Sequence, residues 1–123
     1  MAKILIVEDN PDNMKLFTAV LSIRGHKVVG LPGGEQLFPT LQAEAPQIVL
    51  LDIQLPGEDG FQLLEKLRAR LGEEHPPVVA LTAHAMSGDR EKALRAGFSG
   101  YLTKPIDVST FASSVEAFLP VSG

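Results

Sequence analysis

Apolar residues along this chain fall into short unbroken runs that alternate with longer stretches of helical spacing. Ile4-Leu5-Ile6-Val7, Ile48-Val49-Leu50-Leu51 and Val78-Val79-Ala80-Leu81 carry no polar alternation. Both faces of such a segment need burial, which predicts inner strands of a parallel sheet. Lys27 to Leu31 reads as a weaker strand, and Ser99 to Thr103 as a short one. Between them, Leu16, Phe17, Val20 and Leu21 form a helical stripe with Asn10 or Asp12 as cap, Pro11 in the first turn and Gly25 closing it. Leu37, Phe38 and Leu41 predict a second helix, short or late-starting because Pro39 lies inside it. After a turn over Leu55 to Gly60, with Pro56-Gly57 at its centre, Phe61, Leu64, Leu67 and Leu71 predict a third. Gly88 to Ala96 offers only Ala93, Leu94 and Ala96 as apolar positions, so a fourth helix there packs shallowly. Val108, Phe111, Val115 and Phe118 predict a fifth, capped by Asp107 or Ser109 and ended by Pro120.

Five strand-helix alternations imply an α/β fold: a five-stranded parallel sheet with helices on both faces and right-handed crossovers. The order 2-1-3-4-5, a flavodoxin-like doubly wound arrangement, places a topological switch between the first and third strands. Residues 1–123 are expected to form a single domain with no output domain. Composition narrows the functions further. The absence of cysteine excludes thiol chemistry, and scattered Lys and Arg with a net charge of −4 argue against direct nucleic-acid binding. No apolar run approaches membrane-spanning length and the first residues lack a signal-peptide layout, so no membrane contact and a cytoplasmic location are expected.

Candidate chemistry gathers where the inner strands end. The first stops on Glu8-Asp9, the third on Asp52 and the fourth on Thr82, and all converge at the carboxyl edge where open α/β sheets hold ligands. An acidic residue after a strand ordinarily caps a helix or forms a turn. Three carboxylates crowded together repel one another, however, and raise at least one pKa unless a cation sits among them. Carboxylate oxygens, a backbone carbonyl and water suit Mg2+, with Mn2+ as a substitute. Lys104, just after the fifth strand, is in place to pair with the acids, while the Thr82 hydroxyl and the Ala83 backbone N–H offer neutral donors. Such a set suits a phosphoryl group with Asp52 as carboxylate nucleophile.

Ile4 to Asp9 (ILIVED), Val49 to Gly60 (VLLDIQLPGEDG), Val79 to Ala83 (VALTA) and Gly100 to Pro105 (GYLTKP) resemble, in order and spacing, the receiver domain of two-component response regulators. The resemblance implies that Asp52 is the phosphoacceptor and that Asp9, Asp52 and the Gln54 backbone carbonyl bind the metal, with Glu8 contacting it through water. It implies that Lys104 binds the phosphoryl group, that Ala83 lends its backbone N–H, and that Thr82 and Tyr101 form the switch pair. It further implies a cis Lys104-Pro105 bond and a phosphoryl lifetime tuned by Gln54 and His84. His84 read alone is an exposed loop histidine, and Tyr101 read alone is half-buried packing.

The implied function is a phosphorylation-dependent switch fed by a sensor histidine kinase or a histidine phosphotransfer protein. It would act on a protein target through the face built from the fourth helix, fifth strand and fifth helix, catalysing at most its own phosphorylation and dephosphorylation. An Asp-nucleophile phosphatase needs a second Asp two residues after the first, where Gln54 stands. A flavin-binding module of this topology needs a loop rich in Ser, Thr and Gly where Glu8-Asp9-Asn10-Pro11 stands.

Overall fold

A computed structural model describes residues 2–55, 57–83 and 88–119, without the side chains of Glu58 and Glu73. The strands are β1 (Lys3–Val7), β2 (Lys27–Leu31), β3 (Ile48–Asp52), β4 (Val78–Thr82) and β5 (Gly100–Thr103). All pair in parallel, in the order β2-β1-β3-β4-β5. Every residue of β3 and β4 is buried, as the unbroken apolar runs require.

Successive residues of a strand point to opposite faces, and two cores follow from that period. Ile4, Ile6, Ile48, Leu50, Val79 and Leu81 pack against Phe17 and Leu21 of α1 (Pro11–Ile23) and Phe111 and Val115 of α5 (Phe111–Glu116). The rings of Phe17 and Phe111 stack with centroids 5.2 Å apart, joining the first and last helices. On the other face, Leu5, Val7, Val49, Leu51, Val78 and Ala80 meet α2 (Leu37–Glu44), α3 (Gly60–Leu71) and α4 (Asp89–Ala96). Each fully buried leucine, such as Leu64 or Leu67, contributes about 2 kcal/mol of apolar transfer.

Helix starts follow local chemistry. The Asn10 side chain caps α1 by accepting from the Asp12 and Asn13 N–H groups at 2.9 and 3.1 Å, which decides between the two candidate caps. A single 3₁₀ turn over Gly34–Gln36 precedes α2, whose third residue is Pro39, so the proline sits in the first turn where no helical N–H is needed. Residues Gln54–Leu55 and Glu58–Asp59 pair as a small antiparallel ladder within the expected turn. Pro56 itself lies outside the described residues, as do Pro120, the expected end of the last helix, and His84.

Several expected inward positions turn out otherwise. Leu16 is 39% and Leu71 40% exposed. The buried stripe of α1 is centred on Phe17 and Leu21, one turn apart, which leaves Leu16 at its rim. In α3 the stripe runs through Leu63, Leu64 and Leu67, and Leu71 is the final helical residue. Val108 is 58% exposed because it lies in a turn before α5, where the Asp107 carboxylate accepts from the Ser109 N–H at 2.9 Å and the Ser109 hydroxyl at 2.6 Å. The helix proper begins only at Phe111. α4 packs as shallowly as its composition predicts: Ala93 is its one fully buried residue, and Leu94 is 43% exposed.

Candidate functional site: an acidic sheet edge bridged by Lys104

Asp52 is the last residue of β3, and the ladder continues past it through the Ile53 N–H, which donates to the Leu81 carbonyl at 3.0 Å. Its side chain is therefore carried on a segment held from both sides, and the residue is 1% exposed. Gly60 helps to set this position. A Cβ there would stand 2.5 Å from the Ile53 Cα, so only glycine lets the start of α3 lie against the residue that follows Asp52.

Glu8, directly after β1, is as deeply buried as Asp52, while Asp9 beside it is exposed. Carboxylate oxygens of Glu8, Asp9 and Asp52 all lie within 4.8 Å of one another. Lys104 follows β5, where its N–H donates to the Thr82 carbonyl at 2.7 Å and locks the start of the loop onto β4. From there its ammonium reaches Asp52 Oδ2 at 2.8 Å and Glu8 Oε1 at 2.9 Å. The remaining oxygens are also engaged: Asp52 Oδ1 accepts from the Gln54 N–H at 2.8 Å, and Glu8 Oε2 from the Asn10 N–H at 3.1 Å. Both are the i to i+2 turn common after acidic residues.

The electrostatics match the crowding expected from the sequence, with a different leading cause. Burial raises the Glu8 pKa above its ordinary value; hydrogen bonds from Lys104 and Asn10 work against that, and the charge of Asp52 adds to it. For Lys104, burial acts to lower the pKa, but hydrogen bonds to Asp52 and Glu8 outweigh it, so the ammonium is held more firmly than usual. The cation that crowded carboxylates require is thus already present as a side chain. An all-oxygen set of three carboxylates with one cation at its inner side fits a hard divalent ion, for which Asp9, Asp52 and Glu8 are the available side-chain ligands.

Thr82 ends β4 and is 1% exposed. Tyr101 of β5 is half-buried against the α2-α3-α4 core, and a side-chain hydrogen bond connects it with Thr82. Burial, with the nearby Asp89 charge, raises its phenol pKa. The Lys104-Pro105 bond is cis, as the resemblance implies. One participant escaped the sequence reading, which considered Gln54 for its backbone carbonyl and its offset from Asp52. The Gln54 side chain crosses from the end of β3 to the end of β4, where its Oε1 accepts from the Ala83 N–H at 3.1 Å and stands 3.5 Å from the Thr82 hydroxyl. No spacing rule announces such a contact between residues 29 apart. A cavity of about 310 Å3 lined by Asp9, Gly33, Gln36 and Leu55 opens beside this edge, and one of about 720 Å3 lies between Phe38, Leu41, Arg70, His75 and Pro77, away from every group named above. The lining of the larger is mainly apolar, whereas the convergent charges are at the sheet edge, and the chemistry belongs there.

Fold and site together define a doubly wound α/β protein whose switch point carries buried carboxylates bridged by a lysine. The chain belongs to the response regulator receiver domain family, whose model matches residues 4–116. It is 34% identical over 116 residues to the polar-differentiation response regulator DivK of Brucella ovis, covering 94% of each chain. It is 41% identical to the sensor protein GacS of Pseudomonas syringae pv. syringae, of whose length the chain spans 13%. Among solved structures, it superposes with a TM-score of 0.82 and 33% identity on the receiver domain of a sensor histidine kinase from Pseudomonas aeruginosa PAO1, solved with a magnesium ion coordinated in its active-site cleft. That match covers 95% of this chain and 96% of the other. Receiver domains are signalling modules of two-component phosphorelays rather than classical enzymes. Among the described residues, no helix is long and apolar enough to cross a membrane.

Proposed function

We propose that this receiver domain takes a phosphoryl group onto Asp52 from a phosphohistidine on a sensor kinase or phosphotransfer protein. A carboxylate oxygen of Asp52 forms the new P–O bond as the P–N bond breaks, and the donor imidazole keeps the electron pair. The observation that carries this reading is the double contact of Lys104 with Asp52 and Glu8, which fixes a cation beside a buried carboxylate nucleophile. Asp9, Asp52 and the Gln54 carbonyl would hold Mg2+ or Mn2+, with Glu8, both of whose oxygens already have partners, contacting it through water. The ion would supply positive charge to the transferring oxygens. Lys104, the Thr82 hydroxyl and the Ala83 N–H would take the phosphoryl oxygens once the group is in place.

Output follows from the Thr82 to Tyr101 connection. A Thr82 hydroxyl drawn to the phosphoryl group changes its bond with Tyr101, which stands beside the shallowly packed α4. The α4-β5-α5 face would then alter its affinity for a protein target. The sensor histidine kinase whose receiver domain superposes on this chain, and the response regulator that it matches over 94% of that relative's length, both support a phosphodonor partner. The decisive experiment incubates the protein with Mg2+ and acetyl phosphate and follows intact mass. A phosphoryl adduct that is lost in Asp52→Asn and without metal is expected; an adduct that persists in Asp52→Asn overturns the assignment.

A further inference from the structure

The Gln54 contact has a consequence for how the switch is held off. Its amide oxygen carries partial negative charge and accepts from the Ala83 N–H at 3.1 Å, with the Thr82 hydroxyl at 3.5 Å, the outer limit of a hydrogen bond. Those are the two neutral donors that the reading above assigns to a phosphoryl oxygen on Asp52. Each has one proton to give. A donor committed to Gln54 is unavailable to the phosphoryl group, and the Thr82 hydroxyl is also linked to Tyr101. Gln54, Thr82 and Tyr101 thus form one chain of contacts from the acceptor's loop to β5.

We propose that Gln54 is a positioning residue that occupies the Ala83 N–H, with the Thr82 hydroxyl at its margin, in the resting protein and must swing out when Asp52 is modified. This rests on Asp52 being the phosphoacceptor. The side chain is suited to such exchange: Gln54 is exposed, so its amide regains water when it leaves, whereas Lys104 is held in the resting protein by two buried carboxylates. Competition of this kind sets a threshold for occupancy, because part of the phosphoryl group's hydrogen-bonding gain is offset by the contact it displaces. It acts on the equilibrium between resting and loaded protein and is separable from any effect on hydrolysis.

The test uses Gln54→Met, which keeps the length and apolar stem while removing the acceptor, and Gln54→Ala as a second variant. In metal-free protein, the Ala83 amide proton should shift upfield in ¹H–¹⁵N spectra of both variants and exchange faster with solvent. Beryllofluoride with Mg2+ then serves as a phosphoryl mimic that cannot hydrolyse. Binding is read from the intrinsic fluorescence of Tyr101, which is the only tyrosine in a chain without tryptophan. Both variants should bind the mimic roughly threefold to tenfold more tightly than wild type. Wild-type binding with equal or weaker binding in both variants, or an Ala83 amide that does not move, overturns the role of Gln54 alone. A wild-type protein that binds no beryllofluoride overturns it together with the Asp52 reading.

Discussion

Lys104 sets the charge of the acidic edge. Its ammonium, 2.8 Å from Asp52 and 2.9 Å from Glu8, is flanked by two carboxylates that have almost no contact with water. Deleting one partner of such a cluster leaves charge buried without compensation. Lys104→Ala is expected to cost about 3 kcal/mol of stability in metal-free buffer, measured by urea unfolding at neutral pH. Added Mg2+ should restore part of that loss and bind more tightly than to wild type, because a competing cation is gone; a variant as stable as wild type without metal would contradict this view of the edge. At this scale the sequence showed which residue types end each strand, and so Glu8, Asp9, Asp52, Thr82 and Lys104 were all legible. The side-chain contact of Gln54 was not, because it depends on the lateral distance between β3 and β4 and on one rotamer.

Among the elements, α4 has the least core behind it, and cations from α3 and from its own surface hold it in place. Arg68 of α3 donates to the Ala96 carbonyl at 3.0 Å, capping the C-terminal end of α4 where the helix dipole is negative. Gly97, at φ 112, ends the helix in the left-handed region beneath that guanidinium. Lys92 lies over the Phe61 ring at 4.9 Å, and Phe61 meets Phe98 edge-on at 5.5 Å. Side chains of α3 therefore hold α4 at its middle and at its C-terminal end. Arg68→Ala should raise amide exchange at residues 93 to 97 by about fivefold, the loss of one charge-assisted cap, while exchange in β3 and β4 stays unchanged. Equal exchange in α4 would show the cap to be idle. The weak apolar content of 88 to 96 anticipated shallow packing, but not which partner compensates for it. Arg68 reads simply as a basic residue near the end of α3, and only the packing angle of two helices brings it to a carbonyl 28 residues away.

Across the whole molecule, the edge opposite the acidic site is fastened by Arg24, His26 and Glu116. His26 Nδ1 accepts from the Ala2 N–H at 3.0 Å and its Nε2 meets Glu116 at 2.7 Å, while Arg24 Nε donates to the same carboxylate at 3.2 Å. The start of β1, the turn before β2 and the end of α5 are joined at one point. Hydrogen bonds from Arg24, then from His26, lower the Glu116 pKa from 4.5 to about 2. A depressed carboxylate stabilises the fold fully above its unfolded pKa and ceases to do so as pH falls through the folded value. Glu116→Gln should therefore be less stable than wild type at neutral pH, with the gap constant down to about 4.5 and closing as pH falls from there towards 2. Stepwise urea melts across that range measure it, and high salt should shrink the gap because the cluster is partly exposed. A gap that widens on acidification would reverse the assignment.

By itself the sequence determined the five-strand alternation, the parallel sheet and the acidic character of its carboxyl edge. Those features follow from local periodicity and from the identity of the residue at which each buried run stops, and neither depends on distant contacts. Tertiary structure alone decided that α5 begins after an Asp107 turn, that Leu16 and Val108 face outward, that Arg68 caps α4, and that Gln54 spans the gap to Ala83. Apart from the Asp107 turn, which is a local contact with Ser109, each of these turns on the relative placement of elements far apart in the chain, fixed by how two cores fill the opposite faces of one sheet.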